Sequence, residues 1–306
     1  MKKGDLVKKR MVTLVLIQLM GLGVYAGDLS DCISGVVTMQ KQVDPKTPDK
    51  SAYEVAGVAC SSGGKADRAL ECLKGFTAKT KVGWLVAAHA CSGGSDSISA
   101  LKCFEKVKPN MGNSNDAAAK LCSFGTDGNK AVECINKMAT KNYGWEVAQY
   151  ACRGNNDGDV AARCVAATWN NFNMSTMAAG IACGFGNTPD KINECKTAFY
   201  RNYSGGMATP ETAEAAAWAC VGGTDGRTMK ACVEGAVDAI GKGYSIAKVC
   251  GFGNNLRRVQ ACASEVKVLG KASVSDVAFV CQNYNWKPEV ERATLPPASR
   301  DSNRGF

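Results

Sequence analysis

Histidine is nearly absent: the 306 residues contain one, His89. A Ser-His-Asp or Cys-His device could be built only around that position. No two cysteines stand at the Cys-x2–4-Cys spacing that zinc prefers, the closest being twelve positions apart, so a metal framework is not expected and no cofactor is implied. Runs of one charge are also missing. Past the first ten residues no Lys/Arg cluster reaches five, which removes the footprint of a nucleic-acid binder. No segment alternates apolar and polar residues for long, which argues against strands.

The one extended apolar run, Met11 to Tyr25, is too short to span a bilayer comfortably. It follows Lys2, Lys3, Lys8, Lys9 and Arg10 and ends in Val24-Tyr25-Ala26, small residues at −3 and −1. This describes a secretory signal peptide over 1–26, cleaved after Ala26, and a secreted or periplasmic destination. An uncleaved anchor is one alternative. The other is a lipoprotein attached at Cys32, because Leu29-Ser30-Asp31-Cys32 resembles a lipobox, although Asp31 sits where a small residue belongs. The leader holds five of the 37 Lys+Arg and one of the 28 Asp+Glu, so the remainder stands at 32 against 27. Most of the formal +9 thus belongs to the leader.

Sixteen cysteines dominate what is present. Fourteen fall into seven phrases with a constant step of twelve: Cys60/Cys72, Cys91/Cys103, Cys122/Cys134, Cys152/Cys164, Cys183/Cys195, Cys220/Cys232 and Cys250/Cys262. The first member recurs at 31, 31, 30, 31, 37, 30 and 31 residues, the longest interval marking an insertion around Tyr203–Thr212. A short Ala-rich helix A (Trp84–Cys91) leads to a Gly-bearing turn, then to a helix B (Ser97–Val107), then to a longer connection. Within B, Ala131, Cys134, Ile135 and Met138 share one face. The expected fold is all-α: a disulfide-stapled α-solenoid of about eight two-helix repeats with a period near 31 residues, over 27–286. Cys32 aligns with the B cysteines, so the domain starts within a repeat. The tail 287–306, with Pro288, Pro296 and Pro297, lacks an apolar period and reads as disordered.

Two pairing schemes compete in an exported chain. Pairing within a phrase leaves Cys32 and Cys281 over. Pairing each B cysteine with the next A cysteine uses all sixteen: Cys32–Cys60, Cys72–Cys91, Cys103–Cys122, Cys134–Cys152, Cys164–Cys183, Cys195–Cys220, Cys232–Cys250 and Cys262–Cys281. Depth favours the second scheme. At about 1.5 Å per residue, Cys91 lies beside its tight turn and Cys103 about 10 Å below it. A bridge needs Cα atoms roughly 4.4–6.8 Å apart. The turns between the phrases, such as Ser92–Ser95, then read as unstapled, more adaptable joints.

Signals for chemistry are faint. Glu71, Glu133 and Glu194 each precede a B cysteine, and with Glu146, Glu234 and Glu265 they are the candidates for paired carboxylates; a solvated face is the plainer reading. Gly125–Gly128, Asn155–Asp159 and Gly223–Gly226 carry oxygen ligands beside glycine, too few for calcium and sufficient for helix capping. Gly184–Asn187 and Gly251–Asn254 are similar to phosphate loops only superficially, with no strand before them. Trp84 and Trp145 open A helices and Trp218 lies within one; they are core residues or, if exposed on a concave face, binding residues.

The design resembles the secreted, disulfide-stapled helical hairpins of cysteine-rich Sel1-like proteins, with a shorter period. The likeness implies paired short helices with one bridge per unit and carries over neither residues nor activity. The expected function is an exported scaffold that binds a protein or peptide partner. The alternatives are a carboxylate-dependent hydrolase acting on envelope glycan and a structural envelope protein.

A consequence concerns stability. Helices of 8–12 residues are marginal alone, and alanine buries little apolar area. A bridge closing a loop of about 18 residues contributes around 3 kcal/mol. Dithiothreitol without denaturant should therefore abolish the far-ultraviolet helical signal. Retention of that signal after thiol titration shows full reduction would refute the claim.

Overall fold

The computed structural model describes residues 29–61, 66–172, 175–203, 210–240 and 244–252, with scattered positions between 259 and 281. The expected leader 1–26 and tail 287–306 lie outside these residues. Everything described is helix or turn. In order come α1 (29–43), α2 (Asp49–Ala59), α3 (Ala66–Thr80), α4 (Trp84–Cys91), α5 (Ser97–Val107), α6 (Asn115–Leu121), α7 (Gly128–Thr140), α8 (Trp145–Ala151), α9 (Gly158–Phe172), α10 (Thr176–Cys183), α11 (Pro189–Tyr203), α12 (Pro210–Cys220) and α13 (Gly226–Ile240), then a 3-10 segment Tyr244–Cys250.

The helices form two layers. The A layer stacks α2, α4, α6, α8, α10, α12 and Tyr244–Cys250, each on the one before. The B layer stacks α3, α5, α7, α9, α11 and α13 in the same way. B helices bury one face at fixed offsets from the cysteine: Ala69, Cys72, Leu73 and Phe76 in α3, and Ala131, Cys134, Ile135 and Met138 in α7. A helices are apolar nearly all round, as in Trp-Leu-Val-Ala-Ala-His-Ala-Cys of α4. Small side chains let the A layer pack closely, and the core is accordingly thin in large residues.

Eight bridges join B to the next A: Cys32–Cys60, Cys72–Cys91, Cys103–Cys122, Cys134–Cys152, Cys164–Cys183, Cys195–Cys220, Cys232–Cys250 and Cys262–Cys281. All have Cα separations of 5.7–5.9 Å, and none lies within a phrase. Asp side chains cap the B helices. Asp96 accepts from the Ile98 and Ser99 amides, Asp127 from Asn129 and Lys130, and Asp157 from Asp159 and Val160. Asn, Asp and Gly in these turns thus do capping work, and no cluster able to hold a metal ion occurs among the described residues.

The turns after the A cysteines are not adaptable joints; they are the most heavily stitched part of the molecule. The Phe124, Phe185 and Phe252 amides donate to the carbonyls of Ser92, Arg153 and Val221 in the preceding turns. Asn156 Nδ2 reaches Ala151 O (2.8 Å) and the next unit's Cys183 O (3.1 Å), and Asn187 Nδ2 reaches Ala182 O and Cys220 O in the same way. Thr224 Oγ1 donates to Val221 O and lies 3.4 Å from Cys250 O.

Two positions after the A cysteine, glycine and phenylalanine alternate: Gly93, Phe124, Gly154, Phe185, Gly222, Phe252. All six have φ between 60° and 78°. The three phenylalanines meet, with ring centroids 5.4 Å apart for Phe124–Phe185, 4.9 Å for Phe185–Phe252 and 5.9 Å for Phe124–Phe252. Phe124 and Phe252 are four units apart. Flat stacking at about 8–10 Å per helix would separate them by more than 30 Å. The stack therefore curls about its own turns, and the hairpins fan outward from a phenylalanine hub sealed by Val221 and Trp218.

Each glycine of the alternation leaves room for the next phenylalanine. A Cβ on Gly154 would stand 2.5 Å from Phe185 Cδ1, whereas one on Gly125, also at positive φ, would meet nothing within 4 Å. Gly125→Ala should cost about 1–2 kcal/mol for left-handed backbone alone. Gly154→Ala should add about 1–3 kcal/mol of overpacking. Urea midpoints of the two variants check this, and equal losses would remove the hub from the account of curvature.

Candidate functional site

Counting from each A cysteine, the residue two positions before it faces the inside of the curve beside the hub. This row reads Val58, His89, Lys120, Tyr150, Ile181, Trp218, Lys248. Its middle is crowded. Helix α10 offers only small or apolar groups there, with Gly180 pressed on Val147 and Gly184 on the Tyr150 carbonyl, where a Cβ would come within about 3 Å. Side chains from α8 and α12 therefore meet across α10. Tyr150 and Trp218 lie edge to face with centroids 6.0 Å apart.

Arg153 fills the space between them. Its guanidinium carbon is 4.7 Å from the Tyr150 ring centroid and 5.9 Å from that of Trp218. Only 6 % of the residue is exposed, and its Nε is buried without a hydrogen-bond partner. Burial pulls its pKa down to about 10, with Tyr150 and Asp116 acting weakly the other way. The neighbouring cations are differently placed. Lys120 pairs with Asp116 at 2.6 Å and Lys248 with Glu214 at 3.5 Å. Trp218 Nε1 also donates to Glu214 Oε1 at 3.3 Å. Among the described residues Arg153 has no ion pair.

The position just after the A cysteine holds Ser61, Ser92, Ser123, Arg153, Gly184, Val221 and Gly251. The three serines are buried, and each hydroxyl donates to the carbonyl three residues back, Val58, His89 and Lys120. Arginine is the one charged residue in this row, and the turn geometry does not require it.

His89 stands at the edge of the patch, partly buried. Burial first, then the charges of Arg153 and Lys120, lower its pKa to about 3 against a small opposing effect of Asp116. The imidazole is neutral at physiological pH and acts as a packed polar residue. All sixteen cysteines are bridged, so none is free as a nucleophile, and the nearby Ser92 hydroxyl donates to the His89 carbonyl.

The three tryptophans do not form one site. Trp84 and Trp145 sit at the far, N-terminal ends of α4 and α8, partly buried against the core, with the Trp145 indole over Gly112. Trp218 alone joins the inner patch. The distinction comes from position: seven residues before the A cysteine for the first two, two before it for the third. Glu71, Glu133, Glu146, Glu194 and Glu234 are exposed and do not converge, and Glu265 lies outside the described residues. Glu71, Glu133 and Glu194 occupy alternate B helices, with Glu133 pairing Lys137 at 3.2 Å. A groove of about 690 Å³ between α5 and α7, lined by Ser99, Lys102, Lys106 and Asn129, is open and mixed in charge. Tyr150 and Arg153 gave no sequence signal as single residues. Only alignment of the repeat rows exposes Arg153.

The histidine supplies a test. Its folded pKa lies below the unfolded value of 6.5, so the unfolded chain takes up the proton first as pH falls. The associated stability is complete above pH 6.5 and drains away towards pH 3. Between pH 7.5 and 5 the wild type should lose about 2 kcal/mol that His89→Gln keeps. Urea titrations at both pH values measure this; parallel losses would place the titrating group elsewhere.

No protein-family model, curated protein sequence or solved structure matches this chain, so the arrangement of the patch is what carries the functional reading.

Proposed function

We propose that this chain is an exported, disulfide-stapled helical-repeat scaffold that binds a protein or peptide partner on its inner A-layer surface. The observation that carries this reading is the patch of Tyr150, Arg153, Trp218 and Lys248, contributed by three separate units. Aromatic and arginine side chains dominate binding energetics where they cluster near the centre of a contact, and solenoids bind along their curved faces. The curled stack holds these groups rigid, which limits the entropy lost on binding.

Eight bridges require an oxidising compartment, and no helix among the described residues is long and apolar enough to cross a membrane. Cleavage after Ala26 with release to the periplasm or outside the cell agrees with both. A lipid thioether at Cys32 does not, because that sulfur is bonded to Cys60. The hydrolase reading has no comparable support, since its described carboxylates stand exposed and do not converge.

Panning a random-peptide display library against the oxidised protein tests the proposal. Binders should be recovered that lose at least about tenfold in affinity on Tyr150→Ser with Trp218→Ser, while the far-ultraviolet signal is unchanged. Recovery of no binders, or of binders indifferent to the double substitution, would remove the inner patch as the binding surface.

A further inference from the structure

Resting on the binding reading above, we infer that the inner patch is a carboxylate receptor: Arg153, walled by Tyr150 and Trp218, takes an acidic group of a peptide ligand.

Pairing of charges makes the first part of the case. Five charged side chains surround the patch, Asp116, Lys120, Arg153, Glu214 and Lys248. Two lysines are matched to two carboxylates. Arg153 is the cation left over, and it is the most buried of the five. A guanidinium has five N–H donors in a planar fork suited to a carboxylate. Here Nε is sealed in without a partner, and no carboxylate or carbonyl among the described residues takes the terminal nitrogens. Leaving a buried charge uncompensated is costly. The two ring faces supply part of the missing stabilisation, and an incoming carboxylate supplies the rest.

The second part is geometric. The neighbouring unit carries no charge in this row: where other A helices carry His89, Lys120 or Lys248, α10 carries Ile181, and Gly180 and Gly184 let it press against α8. A larger side chain at either glycine would strike α8. Ile181 therefore offers Arg153 no polar partner, and Tyr150 and Trp218 stand to either side of the guanidinium. Tyr150 and Trp218 then flank whatever sits on the guanidinium and would discriminate by shape. Lys120 with Asp116 and Lys248 with Glu214 leave the rim balanced, so the net positive charge of the patch is that of Arg153 and favours the approach of an anion.

The third part is the turn itself. Serine at this row closes the A helix by donating to its carbonyl. The unit of Cys152 lacks that bond, as do the units with Gly184, Val221 and Gly251, and its turn is held by Asn156 and by the Phe185 amide on the Arg153 carbonyl. The arginine is thus dispensable for the turn and expensive to bury, a combination that points to a ligand.

Two measurements test this on the oxidised full-length protein. In the first, the binders recovered by peptide display are sequenced, and a Glu-rich binder is compared with its Gln-for-Glu counterpart and with its C-terminal amide by isothermal titration. Enrichment in Asp and Glu, with loss of at least about tenfold on Glu-to-Gln exchange, is expected. Sensitivity only to C-terminal amidation assigns the carboxylate to the chain end and also supports the receptor. Binders with no acidic bias, unaffected by either change, overturn the carboxylate inference while leaving the binding scaffold standing; recovery of no binders overturns both. In the second, Arg153→Met is compared with Arg153→Lys. Arg153→Met should keep or raise the melting temperature, because an unpaired buried cation is replaced by an apolar chain of similar length, yet lose the acidic peptide. Arg153→Lys should retain part of the binding. A protein that unfolds on Arg153→Met shows that the arginine holds the fold, and the inference fails.

Discussion

The sulfur bridge from each B helix to the A helix after it is the constraint on which the remainder rests. The A helices are seven to eleven residues long and largely alanine, so neither length nor apolar area can hold them in place. Pinning the C-terminal end of each A helix to the middle of the B helix before it fixes the depth at which it packs. With depth fixed, every A helix ends at the same level, and all the Gly-bearing turns fall on one side of the stack. A repeat protein without the bridges could let successive hairpins slide; here the turns are forced into register and must find partners in one another.

That register explains the hub. Three phenylalanines in left-handed backbone are unfavourable by roughly 1–3 kcal/mol each, and none of them would be tolerated in an isolated hairpin. They persist because the curl brings units 124, 185 and 252 into mutual contact, burying aromatic surface that flat stacking would expose. Edge-to-face pairs add about 0.5–1.5 kcal/mol each. Curvature and strain are therefore two sides of one arrangement: tight curling is what makes the strained phenylalanines worth keeping, and their contact is what holds the curl. The alternation with glycine makes the structural unit about 61 residues, two hairpins, with one phenylalanine and one receiving glycine per pair.

Legibility in the sequence followed the range of the interaction. The disulfide pattern could be worked out because parity and helix depth are local arithmetic: Cys91 beside its turn and Cys103 about 10 Å below cannot meet. The B-helix faces and the Asp caps were legible for the same reason. The turns were not. Gly93 and Phe124 look like ordinary loop residues until the curvature that joins them is known, and curvature is a property of the whole stack. Their alternation at one repeat position was visible in principle, since from Cys91 to Cys250 the residue two after the A cysteine switches between the two types. The tryptophans show the opposite error. Trp84, Trp145 and Trp218 share a residue type and a layer, but Trp218 lies five positions nearer its A cysteine than the other two, about 7 Å along a helix, and offset decides which end of the A layer they reach.

Arg153 illustrates why sites in repeat proteins are found by departure from the row. Within a row, each position answers to the same neighbours, so its residue type is set by packing and turn chemistry. Serine at Ser61, Ser92 and Ser123 meets that requirement with one hydrogen bond to its own helix end. Glycine at Gly184 and Gly251 meets it by yielding space to the carbonyls of Tyr150 and Trp218. An arginine meets neither requirement: it adds a buried charge, removes the hydrogen bond and is compensated only by two ring faces. Local consistency is the rule in a folded sequence, and its violations gather where something other than folding is being served. By that reasoning the proposed binding centre falls in the unit of Cys152, and its neighbour α10, with Gly180 and Gly184 pressed close on α8, lets Tyr150 and Trp218 meet across it.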